Sequence, residues 1–167
     1  RSKEADNVNG EGDVFSLGLK RIQVAGTMGC CIEESSPGRE VQKKDWIRET
    51  VHQAPPCDGI LADYNLGTRA RYYWTCPHCE EEFEPRFESL RWDDDKENLQ
   101  AISQTAFMVC DKGCVINASE KFDLNANGRW LHESSCGTKA VPLGDPEIRE
   151  TNIVSYWQKG PTARAQT

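Results

Sequence analysis

The sequence predicts an α+β chain: the edge of an α/β sheet, followed by a small antiparallel metal ribbon with a short helix. Three observations lead there. An apolar stretch from Met28 to Ile32 runs into Ser35-Ser36-Pro37-Gly38, as a buried strand runs into a tight turn at the carboxyl edge of such a sheet. Two cysteine pairs, Cys76-Pro-His-Cys79 and Cys110-Asp-Lys-Gly-Cys114, each follow a β-rich run. Short strand candidates and one capped helix surround them.

Taken in order, residues 1–12, RSKEADNVNGEG, are polar and read as a disordered or loop segment. Val14, Leu17 and Ile22 have the spacing of a short helix, with Asp13 as its N-cap. Residues 39–63 contain Pro55-Pro56 and little periodicity, so they read as a long connection with one short helical stretch at DWIRETVHQ. RYYWTC, EEFEPRF and QTAFMVC are strand candidates. Tyr72, Tyr73 and Trp74 are expected to cover a small core rather than to stack on bases. In NASEKFDLNANG, Asn117 and Glu120 have the spacing of a capping box and Gly128 ends the helix. GRWLHES is a last short strand, and Cys136 to Glu150 reads as a linker. The division is thus a sheet-edge piece (1–40), a linker (41–68), a ribbon (69–135) and a second linker (136–167).

The 167 residues suffice for one ordinary domain or two small pieces. No apolar run approaches a membrane span and no signal-peptide pattern opens the chain. That points to the cytosol, where eight cysteines serve as thiols or metal ligands rather than disulfides. The net charge of −7 argues against a free-standing DNA clamp, because such affinity comes from neutralising phosphates. Residues 80–97 alone carry nine carboxylates against three basic groups and read as a solvated face. Basic spots remain at Lys20-Arg21, Lys43-Lys44 and Arg69/Arg71. The chain begins at Arg1 rather than Met, and an internal piece of something longer is expected.

The cysteine pairs carry the chemistry. Each closes a tight turn, and two such turns brought together place four thiolates at the corners of a tetrahedron, about 2.3 Å from a zinc ion. Cys76, Cys79, Cys110 and Cys114 are therefore the predicted ligands of a structural zinc ribbon. A redox pair would need a helix N-terminus to lower its thiol pKa, whereas carboxylates follow Cys79. A rubredoxin-like iron site remains open, although the second pair has three intervening residues. His78 reads as a surface or outer position, Cys136 as a reserve ligand, and Cys30, Cys31 and Cys57 as buried or loop thiols. Four thiolates leave no open position, so the metal would stabilise a fold rather than perform hydrolysis. No GxxxxGK[ST], HExxH or GxSxG motif is present.

In order along the chain, GDVFSLGLKRIQVAGTMGCCIEESSPGRE, APPCDGILADYNLGTRARYYWTCPHCEEEFEPRFESLRW and ETNIVSYWQKGP resemble the bacteriophage terminase large subunit of the GpA type. The resemblance runs from about residue 12 to the end. It implies a DNA-packaging enzyme with an ATPase half, a metal-dependent nuclease half and a cysteine-rich insert between them. Met28 to Glu34 would then be a late strand of a P-loop ATPase sheet. Ser35, Ser36 and Pro37 resemble the motif that couples hydrolysis to DNA movement, and IVSYWQKGP the start of the nuclease half. ATP and Mg²⁺ would be cofactors of the parent protein only, with the Walker segments upstream and the nuclease carboxylates downstream. Implied partners are double-stranded DNA, the small terminase subunit and the portal, in the cytoplasm of a bacterial host and away from membranes. The piece alone is expected to be inactive and to bind DNA weakly or not at all. A ribbon that only holds a protein partner is the alternative.

Overall fold

The computed structural model describes residues 13–92 and 99–163. The polar opening stretch 1–12 and the DDDKE part of the acidic run lie outside the described residues. Helix α1, Val14–Ile22, forms where the apolar spacing predicts it. Asp13 caps it by accepting from the N–H groups of Phe15 and Ser16, and Lys20 and Arg21 fall in its last turn, where the helix dipole favours cations. No residue of α1 is buried.

A 3₁₀ turn covers Gln23–Met28, and no strand follows it. Met28 and Ile32, predicted to be buried, are among the most exposed apolar side chains. The reason is topological: a central strand exists only through hydrogen bonds to neighbours, and no described segment pairs with this one. Ser35, Ser36 and Pro37 are exposed and form no tight turn. DWIRETVHQ gives turns rather than a helix. Its β-branched Ile47, Thr50 and Val51 disfavour helix, and its backbone is drawn outward instead, Val51 N–H donating to the carbonyl of Gly137. The helix of this region is α2, Ile60–Leu66, which the sequence pattern did not predict.

Seven short strands follow among the described residues: β1 Arg71–Thr75, β2 Glu82–Phe83, β3 Leu90–Arg91, β4 Phe107–Val109, β5 Val115–Asn117, β6 Arg129–Glu133 and β7 Ala140–Val141. Helix α3, Leu99–Thr105, precedes β4, and α4, Lys121–Asn127, precedes β6. All pairing between these strands is antiparallel, in a four-stranded sheet of order β2-β1-β6-β7 and a three-stranded sheet of order β3-β4-β5. The capping box predicted for α4 forms between Asn117 and Glu120. Gly128 ends α4 with extended backbone rather than a left-handed cap. Glycine is required there by close approach, since a Cβ would lie 2.7 Å from the carbonyl oxygen of Tyr73.

Alternation along β1 divides the molecule. Tyr72 and Trp74 point to one side, where Trp74, Phe83, Met108, Ile116 and Leu124 form the main core together with Cys76 and Cys110. Arg71 and Tyr73 point to the other, towards a smaller core of Ala54, Cys57, Leu61 and Tyr64 with Trp157. Residues 153–157 reach this side by running parallel to residues 68–70, with Trp157 N–H donating to the carbonyl of Ala70 and Ala70 N–H to that of Ser155.

Candidate metal centre

Strand β1 delivers Cys76, and β4 delivers Cys110, each directly beyond its last paired residue. Behind each cysteine the chain turns sharply. Glu80 N–H donates to the carbonyl of Cys76, and Gly113 N–H to that of Cys110. Both turns need a left-handed residue, Glu80 at φ 62° and Gly113 at φ 88°. Glycine meets that demand freely in the second turn; in the first, a glutamate carries the strain of its Cβ.

The two turns bring Cys76, Cys79, Cys110 and Cys114 together, their sulfurs all within 4.8 Å of one another. Cys79 Sγ and Cys110 Sγ stand 3.9 Å apart. A tetrahedron of sulfurs 2.3 Å from a central ion has edges of about 3.8 Å, so the donor set fits a four-coordinate metal. All four cysteines are free thiols. Cys114 N–H donates to Cys110 Sγ at 3.3 Å. Burial pushes the Cys110 thiol up, but donation from the Cys114 and Lys112 backbone and the neighbouring thiols outweighs it and pulls the thiol down. Cys114 is pushed up, first by Cys110 and then by burial. Four sulfurs this close cannot all ionise without a cation among them, and a divalent ion removes that conflict.

His78 stays outside the cluster, half exposed, with Nε2 3.8 Å from Glu120. Cys136 is exposed, and hydrogen bonds from Ser134 and Thr138 lower its thiol to about 7. Cys57 is buried in the smaller core. Ser35, Ser36 and Pro37 take no part in the cluster, and Ser35 Oγ donates only to the carbonyl of Ser36. Tyr72 and Trp74 cover the core as expected, whereas Tyr73 turns to the opposite face, its Oη 2.9 Å from His52 Nε2. Tyr72 Oη donates to Asn125 O and Trp74 Nε1 to Asn125 Oδ1, fastening α4 over the knuckles.

The family model of the phage terminase large subunit gpA, ATPase domain, matches residues 2–130. The chain belongs to that family. The match runs through both knuckles as far as Trp130, so in this gpA-family chain the thiol cluster lies within the matched span. The chain is a terminase-related, DNA-packaging one. No curated protein and no solved structure matches it. Among the described residues, no helix is long and apolar enough to cross a membrane.

On the other side of β1 stands a charged network the sequence did not reveal. Glu84, predicted to be solvated with the rest of the acidic run, is buried among four cations: Lys159 at 3.0 Å, Arg48 at 3.4 Å, Arg86 at 3.6 Å and Arg71 at 3.7 Å. Burial alone would raise its carboxyl; Lys159 and Arg71 reverse that and hold it below the usual range. The Arg71 guanidinium lies 3.8 Å from the Trp157 ring centroid and 4.9 Å from that of Tyr64. Arg69 pairs with buried Glu133 at 2.8 Å. Arg69 and Arg71, read from the sequence as a basic spot, are therefore internal. EEEFEP contributes exposed Glu80 and Glu81, but Glu82 is engaged by Arg129 at 2.6 Å and Glu84 is a buried counter-ion.

Proposed function

We propose that this chain serves in the large subunit of a phage DNA-packaging terminase, where Cys76, Cys79, Cys110 and Cys114 hold one structural zinc. The single observation that carries the reading is the four-thiol cluster inside a segment of gpA-family sequence. Thiolates select zinc or an iron–sulfur-type ion over magnesium or calcium, and four of them leave no position for substrate water. The metal then stabilises the small core of β1, β2, β4 and β5, whose strands are too short to be stable alone.

In the assembled subunit the Met28–Glu34 segment, with Met28 and Ile32 exposed here, docks into the ATPase sheet, which would place Ser35, Ser36 and Pro37 at its edge as the coupling segment. Residues 69–135 orient the ATPase and nuclease halves while ATP-driven movement of double-stranded DNA and its cutting take place elsewhere in the protein. The small subunit and the portal are the expected partners, in the host cytoplasm. By itself this chain hydrolyses no ATP, because none of its residues form the glycine-rich loop with lysine that cradles phosphates.

Elemental analysis of protein purified under reducing conditions is the test. One zinc per chain supports the reading. Stoichiometric iron with a visible absorption band would favour the rubredoxin-like alternative, and no metal would end both.

A further inference from the structure

Three chain segments, 46–55, 87–88 and 157–161, enclose an open cleft of about 480 Å³ on the charged side of β1. Its walls carry three aromatic rings, Trp46, Phe87 and Trp157, and two cations, Arg48 and Lys159. Phe87 is 65% exposed, its ring centroid 6.2 Å from that of Trp92. Trp157 is held in place by Arg71, so its position is fixed before any ligand arrives. The local charge is unbalanced. Arg48 and Lys159 on the wall both pair with Glu84 behind it, where Arg86 and the buried Arg71 add two further cations; with Glu88 on the wall, four cations face two carboxylates.

We propose that this cleft binds a short stretch of single-stranded nucleic acid, with bases stacked on Phe87 and the tryptophans and phosphates at Arg48 and Lys159. The inference rests on the packaging reading above and names a nucleic-acid contact within it. Ring faces beside cations suit an unpaired strand, whose every base offers a π-face and whose every link carries a negative charge. In a duplex those base faces are already stacked on neighbouring base pairs. An acidic peptide would satisfy the cations but would leave the exposed Phe87 ring unused.

The test is quenching of tryptophan fluorescence in the reduced, metal-replete chain by a thymidine hexanucleotide, by a short duplex and by hexaglutamate. The expected result is saturable quenching by the single strand, tighter than about 10 µM at low salt, with a log–log salt slope between about −1 and −2. Phe87→Ala, at an exposed position, should weaken it at least about fivefold, the loss of one stacked base. Equal binding of duplex or of hexaglutamate, or an unchanged affinity in Phe87→Ala, overturns the proposal. So does absence of quenching by the hexanucleotide in a sample that carries one zinc per chain, a result that would leave the ribbon reading intact.

Discussion

The two faces of β1 are held by opposite chemistry. On one, Tyr72 and Trp74 lead into an apolar core whose polar members are the thiols, which repel one another until a cation joins them. On the other, Arg71 and Tyr73 meet a network that carries its own counter-ions, Glu84 and Glu133, tied to residues as distant as Lys159 and Arg149. The first face depends on something the chain must acquire. The second depends on segments far apart in sequence arriving together, and on pH. A strand of five residues can therefore lose one side without directly losing the contacts of the other.

The largest expected effect breaks the thiol face. Structural zinc in such sites contributes on the order of 10 kcal/mol or more at neutral pH, comparable to the whole stability of a domain. Cys110→Ser should therefore abolish zinc binding and the order of β4, β5 and α4, read as lost metal and lost amide protection. Exposed Cys136→Ser is the matched control and should change neither.

Glu84→Gln breaks the charged face instead. It keeps the shape and strands four cations around a neutral amide, a loss of about 3–5 kcal/mol by the usual cost of unpairing a buried charge. Chemical denaturation should show it, with zinc stoichiometry unchanged in the folded protein. If Glu84→Gln is nearly silent, the network is wetter than its 5% exposure implies.

A pH effect sharpens the contrast. His52 is fully buried, with Nδ1 2.8 Å from the carbonyl of Arg69 and Nε2 2.9 Å from Tyr73 Oη. Burial holds its imidazole down at about 4, against an ordinary 6.5, and outweighs the Arg69 carbonyl and Glu84, which pull it up. The folded protein keeps His52 neutral while the unfolded chain takes up a proton below pH 6.5. Stability from this group is thus full above that pH and falls as pH drops towards 4, by about 3 kcal/mol in all. NMR of the imidazole nitrogens should find His52 neutral at pH 5. A midpoint near 6.5 would place it in water.

The smallest effect concerns the strained knuckle. Glu80→Gly relieves a left-handed glutamate but adds freedom to the unfolded chain, so a net gain of up to about 1 kcal/mol is expected. Thermal unfolding of the zinc form measures it, and a loss of stability would mean that the Glu80 side chain has an unrecognised partner.

The same contrast explains what could be read in the sequence. Asp13, Asn117 and Glu120 act within one helical turn, and each knuckle's cysteines lie within four residues of each other, so helix starts and knuckles are visible as local patterns. The pairing of the knuckles follows from metal chemistry, which demands four ligands. Met28–Ile32 has the composition of a strand but no pairing strand among the described residues, and composition cannot report that. Glu84 looked solvated because its neighbours in sequence are acidic; its cations come from positions 48, 71, 86 and 159. Trp46, Phe87 and Trp157 were likewise separate aromatics until the fold set them around one cleft. No short motif announces either arrangement.

The most direct test of the central claim is X-ray absorption at the zinc edge of the reduced, purified chain. The geometry of Cys76, Cys79, Cys110 and Cys114 predicts four sulfur neighbours at about 2.3 Å and no oxygen in the first shell. A shell with nitrogen or oxygen, or fewer than four sulfurs, would show that the site is open or incomplete and would contradict the account.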